Sequence, residues 1–253
     1  MRDKIKDVHY FSLFIEKEKY TIQRLTDAIY STEVNAARIP YLWDAILISH
    51  LDIIHAEYSR GANGAKIKEL LINLIPIFEN HFKYLAGYED YDIMIWIVSL
   101  GILCDLELVD FMKITSVVRK YDVQDRLIDF LIQSKQPEWN LSGQNIIQKY
   151  PYEKALAIKD HHDIKTYLTS FWYKGHSDAS WYNSHKNTQL NIYSGYWAWE
   201  ASAIAKIKNI DDTAINDLKY YPYDAVHWDT NLKSPNKKSF VYKLLAKFKL
   251  FGG

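Results

Sequence analysis

From Asp92 to Leu103 the chain reads DIMIWIVSLGIL, apolar on every face of a helix wound through it. A membrane span needs roughly 20 such residues, and the most apolar run, Ile93 to Cys104, falls well short. In water a helix of this kind has to be surrounded by protein, so the other elements must pack around it. Those elements also read as helices. Val8, Phe11, Ile15, Ile22, Leu25 and Ile29 recur at three, four or seven within a helix over 2–30. Pro40 opens a second helix through Tyr58, stopped by Gly61 and Gly64. Ile67, Leu70, Leu71, Leu74, Ile75, Phe78, Phe82 and Leu85 trace the stripe of a third, with a kink at Pro76 and an end at Gly87.

Shorter helices are predicted over 107–118, 123–132, 151–158, 164–173 and 179–186. No strand alternation or hairpin signal interrupts them, and no repeat of 30 to 50 residues suggests a solenoid. The loop SKQPEWNLSGQN, Ser134 to Asn145, is the best domain boundary. The expected fold is therefore all-α, with two packed helical domains forming an irregular bundle: residues 1–133 and 146–230, then a basic amphipathic tail over 231–253.

The second domain is organised around Asn191 to Trp228. A helix over Tyr193 to Lys208 places Tyr193, Tyr196, Trp197, Ile204 and Ile207 on one arc with Glu200 among them. Ala198, Ser202 and Ala205 on the opposite arc admit a close neighbour, so this helix is expected to be covered on both sides. A carboxylate in an aromatic face must find Tyr O–H or His N–H donors, since leaving it unpaired costs several kcal/mol. Glu200 and His227 are accordingly expected to be structural polar groups of the core. Asp211 and Asp212 can cap a short helix from Thr213, and Pro222 can open another over Tyr223 to Trp228, with Asp224 and His227 on one face.

The strings YSGYWAWEASAIAKIKNIDD and YYPYDAVHW resemble the hallmark of the C-terminal domain of the PoNi family, the immunity proteins of bacterial polymorphic nuclease effectors. YLTSFWYKGHSDASWYNSHK, Tyr167 to Lys186, is similar to that domain's lead-in. MRDKIKDVHYFSLFIEKEKYTIQ and AEYSRGA, Ala56 to Ala62, resemble the family's N-terminal domain. Together these cover most of residues 1–230. The resemblance implies an all-α inhibitor, without catalysis or cofactor, that binds a cognate DNase toxin made by the same cell and prevents self-killing.

Charge and composition fit such a role. Residues 1–230 carry 25 Lys and Arg against 31 Asp and Glu, and residues 231–253 carry six Lys and no acid. An acidic body suits a basic partner such as a nuclease and disfavours direct nucleic-acid binding. The 20 Tyr and 8 Trp are useful both in interfaces and in helix packing. One cysteine, Cys104, excludes an internal disulfide framework and suits a reducing cytoplasm, and no secretory leader is expected. In the tail, Phe240, Val241, Leu244, Leu245 and Phe248 share one side of a lysine-bearing helix, which lies on an anionic membrane surface, docks on the body or frays in solution.

Catalytic alternatives are thin. His162-Asp163 has the adjacent pair of metal-dependent HD phosphohydrolases, with His50, His55 and His81 as further ligands; the competing reading is a helix start capped by Asp160 or Asp163. Glu200, Asp224 and His227 form an incomplete metal set. Phosphate-loop, dinucleotide, zinc-protease, C-x-x-C and G-x-S-x-G motifs are absent, so no catalytic residue and no metal are assigned. The expected partner-binding residues are those where acid and tyrosine recur outside periodic helices. They are Tyr88, Glu89, Asp90 and Asp92 in one stretch, and Asp211, Asp212, Tyr221, Tyr223 and Asp224 in the other.

Overall fold

The computed structural model describes residues 1–31, 34–85 and 87–228, so the tail over 231–253 lies outside the described residues. Helices α1 (Val8–Ile29), α2 (Ile39–Arg60) and α3 (Gly64–His81) come first, each neighbour packing on the next. Asp7 and Asn63 cap α1 and α3 by accepting from the amides of Tyr10 and Lys66, satisfying donors the helix itself cannot reach. Gly61 closes α2 at φ 111°, in the left-handed region that glycine tolerates. The third helix runs through Pro76 but stops at His81; Leu85, expected on its stripe, is 80% exposed.

Helix α4 (Tyr88–Leu103) is the apolar segment, and Met94, Ile95, Ile97, Val98 and Leu100 along it are all buried. Each such side chain contributes roughly 1.5–3 kcal/mol of burial, which is why helices of both domains pack against it. It packs against α5 (Leu108–Lys120), α6 (Arg126–Gln133) and, from the second domain, the central helix. Asp125 caps α6 from a buried position. Its oxygens accept from the amides of Leu127 (2.8 Å), Ile128 (2.9 Å) and Ile147 (2.6 Å) and from the Tyr91 hydroxyl (2.8 Å), tying the loop after α6 to α4. Asp129 holds the same loop through Trp139 Nε1 and the Gly143 amide, both at 2.8 Å.

The second domain contains α7 (Lys149–Leu156), α8 (His161–Thr166), a π-helical turn over Tyr167–Trp172, α9 (Tyr173–Gly175), α10 (Trp199–Lys208) and α11 (Tyr223–Val226). The expected fold class holds: all-α, two packed helical domains, with no strand among the described residues. The central helix is shorter than its periodicity predicts, because Gly195 sits at φ +119° and a Cβ there would lie 2.1 Å from Ser59 Oγ. Residues 192–197 instead run as a non-helical strap between the domains, with Ala198 as the N-cap of α10. Ser59 Oγ donates to the Ser194 carbonyl (3.0 Å), Trp197 Nε1 donates to Ser59 Oγ (2.8 Å), and the Ala198 amide donates to the Tyr220 carbonyl (2.9 Å). Once α10 begins, Ala201, Ser202, Ala203 and Ala205 are buried and let it lie close to α4.

Candidate functional site

Two regions combine chemistry with position: a buried polar cluster where α10 meets α4, and an acidic face that opens into a cavity beside it. Glu200 is fully buried on α10. The π-helical turn brings Tyr167 over it, and the hydroxyl donates to Glu200 Oε1 at 2.8 Å, while Oε2 has no hydrogen-bond partner. Burial pushes the Glu200 carboxyl up to about 7, with the Tyr167 bond working against that rise. Alongside, Tyr152 donates to Asp92 Oδ1 at 2.7 Å and lies 3.1 Å from His176 Nε2, and His176 Nδ1 faces the Trp172 carbonyl at 2.7 Å. Burial pulls the His176 imidazole down, but Asp92 and the Trp172 carbonyl more than offset it and the net shift is upward. The cluster is enclosed, so its effect is to hold the domains together.

The acidic face starts on α2. Tyr41, Asp44, Ile48 and Asp52 follow one another at helical spacing on a single stripe, and Tyr41 and Ile48 are 75% and 42% exposed. The first turn of α4 adds Glu89 and Asp90. Burial, then Asp90 and Glu89, raise the Asp44 carboxyl above its usual range, which places the three acids within mutual influence. Asp90 Oδ2 accepts from the amides of Leu85 (2.8 Å) and Gly87 (3.4 Å), so it also caps α4; Glu89 Oε1 accepts from the Ser180 amide at 2.9 Å. Beyond Ile48 and Glu89 the surface falls into a cavity of about 220 Å³ lined by α2, α4, Trp181 and the 192–197 strap.

The expected partner residues separate into surface and interior. Glu89, Asp211 and Asp224 are exposed, and Asp90 and Tyr223 are partly so; Tyr88 opens α4. Asp92, Asp212 and Tyr221 are buried, which corrects their expected place on a surface. Asp212 accepts from the Tyr221 hydroxyl (2.6 Å) and pairs with His227 Nε2 (2.8 Å). His227, expected in the polar core, is thus an exposed side chain seated on Asp212. Asp224 pairs with Arg2, and the nearby Asp217 with Lys4, so the N-terminus supplies cationic partners to acids that stay exposed. Asp211 caps through Thr213, and that bonding holds its carboxyl below the usual range.

Sequence reasoning did not single out Asp44, Asp52, Trp96, Trp181, Tyr152 or His176. A usable signal was present for Asp52, a carboxylate one turn from Ile48 on an apolar helix, the same anomaly that drew notice to Glu200. His162-Asp163 forms a helix start: Asp160 Oδ1 accepts from both amides (2.8 and 3.0 Å), and Asp163 accepts from the Lys159 amide. His81 stacks on Trp43 with centroids 3.8 Å apart. Among the described residues no group of three or more His, Cys, Asp or Glu side chains is arranged to hold a metal ion, and no helix is long and apolar enough to cross a membrane.

Comparison with known proteins addresses the family directly. The crystal structure of protein PA2201 from Pseudomonas aeruginosa superposes with a TM-score of 0.66 at 14% identity over 89% of each chain, a likeness of fold. No curated protein matches the sequence. The family model described as PoNe immunity protein (PoNi), N-terminal, matches residues 2–115, and that described as PoNe immunity proteins (PoNi), C-terminal, matches residues 123–225. With both halves matched in order over nearly all of the two helical domains, the chain belongs to the PoNi family of immunity proteins.

Proposed function

We propose that this chain binds and neutralises a cognate nuclease toxin in the cytoplasm of the cell that makes it, acting by occupation of the toxin and without catalysis of its own. The family match over residues 2–115 and 123–225 carries this reading. The acidic face supports it, because a nuclease that grips DNA presents basic surface to phosphates, and Asp44, Glu89 and Asp90 stand together beside exposed Tyr41 and Ile48. Carboxylates next to an aromatic and an aliphatic anchor are what a basic partner surface needs for steering and for burial. Within the second stretch, Asp211, Tyr223 and Asp224 are the remaining candidates for contact.

Co-expression with the neighbouring toxin gene tests the reading. Cells carrying wild-type protein should survive toxin induction and cells without it should not; equal killing in both would refute the proposal. Glu89→Gln with Asp90→Asn, which keep the oxygens that accept from the Ser180 amide and cap α4, should slow association with the nuclease and flatten its salt dependence while leaving the melting temperature in place.

A further inference from the structure

We propose that the cavity between α2, α4 and the 192–197 strap is a socket for one lysine or arginine side chain of the nuclease partner. The inference rests on the immunity reading and adds to it a specific anchor point. Three properties of the cavity lead to it.

The first is charge. Among the described residues no lysine or arginine lines the cavity; Lys17, whose charge reaches Asp52, donates instead to the Asn191 carbonyl at 2.7 Å. Its carboxylates are Asp52, Glu89 and Asp92, of which Asp92 is committed to the Tyr152 hydroxyl. Burial holds the lining His55 imidazole down to about 3, so it brings no positive charge near neutrality. Asp52 accepts from Ser194 Oγ at 2.8 Å and is pushed up to about 7 by burial, a cost to the ionised form that an incoming cation would relieve. Glu89 stands exposed at the mouth.

The second is the wall. Trp96 and Trp181 have ring centroids 6.2 Å apart, and Trp181 and Tyr196 5.6 Å apart, so aromatic surface runs continuously from α4 to the strap. A lysine or arginine buries its aliphatic stem against such rings while its head meets a carboxylate, and a guanidinium also stacks on their faces. The third is size and access. About 220 Å³ is below the roughly 300–1,000 Å³ of ordinary small-molecule pockets, yet the mouth is framed by Ile48 and Ile192, 42% and 41% exposed. An apolar rim around an acidic, aromatic interior, continuous with the acidic stripe of α2, matches a protruding basic side chain on a protein surface.

The test uses the full-length protein and the cognate nuclease domain. Asp52→Asn with Glu89→Gln removes both charges at nearly constant shape, and the asparagine carbonyl still accepts from Ser194. The double variant should bind the nuclease about thirtyfold more weakly or worse, chiefly through faster dissociation, with a melting temperature at neutral pH no lower than that of wild type, since Asp52→Asn removes a carboxyl whose ionisation burial penalises. One nuclease Lys→Ala or Arg→Ala variant should weaken binding to wild type and cost nothing further in the double variant. Ile48→Arg, which brings a guanidinium to the mouth from this chain, should block the socket from a surface position that does not disturb folding. If wild type binds tightly while the double variant and Ile48→Arg bind equally well, the socket is refuted and the immunity reading stands. If wild type itself does not bind, both fall.

Discussion

Replacing Glu200 by glutamine should remove a pH dependence of stability that the fold imposes. The Glu200 carboxyl has no exposed surface, one hydroxyl donor and an unpartnered oxygen, and burial lifts it from the usual 4.5 to about 7. Between those values the folded protein holds a proton that the unfolded chain has released. Stability from this group is therefore greatest below about 4.5, falls as pH rises, and is fully lost above about 7. At about 1.4 kcal/mol for each tenfold change in proton affinity the whole effect is about 3 kcal/mol, of which about 2 to 3 lies between pH ~5 and pH ~8. Glutamine keeps the carbonyl that accepts from Tyr167 and has no proton to lose. Urea melts of both proteins at the two pH values give a double difference that cancels other titrating groups, including Asp52. The wild type should lose about 2 to 3 kcal/mol more than the variant, or about 5–10 °C in Tm. Parallel pH profiles would mean that Glu200 is ionised and compensated in the folded state, and the argument from burial would be wrong.

Four further substitutions probe the scaffold. Asp125→Ala frees three amides and the Tyr91 hydroxyl at once and should cost about 3 kcal/mol or more in chemical denaturation; a loss under about 1 kcal/mol would contradict its role as the tie between α4, α6 and the following loop. Asp212→Ala strips Tyr221 and His227 of their acceptor and should cost about 2 kcal/mol, whereas Asp211→Ala, an exposed local cap, should cost less; the reverse order would refute the assignment. Gly195→Ala meets both a positive φ and a clash with Ser59 and should lower stability by roughly 2 kcal/mol or more, read as a Tm shift in calorimetry.

Much of the fold was legible because it rests on local periodicity. The helices α1 to α4 follow from apolar spacing and, for α2, from Pro40 at its start and Gly61 at its end, whereas Gly87, expected to end α3, precedes α4 and α3 stops at His81. The start of α10 was not, since the pattern of Tyr193, Tyr196 and Trp197 is compatible with a helix, and only contact with Ser59 on α2, distant in sequence, sets Gly195 in the left-handed region. The same limit applies to the candidate site. Glu89 and Asp90 were visible as acids beside tyrosines, but their neighbour Asp44 is brought to them by packing of the first domain. Asp92 and Asp212 looked the same in sequence as their exposed neighbours; Tyr152 and Tyr221 draw them inside, and no local pattern encodes that. His227 illustrates the converse, a residue assigned to the core by its aromatic surroundings that sits exposed on Asp212.

The central claim, neutralisation by stoichiometric binding, is tested most directly by titrating the purified protein into the cognate nuclease domain and following DNA cleavage, with the complex quantified in parallel by calorimetry. The account predicts that cleavage falls linearly to background at an equimolar ratio and that the protein alone turns over no DNA, nucleotide or phosphoester with Mg²⁺, Mn²⁺ or Zn²⁺. Undiminished cleavage at saturating protein, or metal-dependent turnover that disappears in His162→Ala or Asp163→Ala, would contradict it.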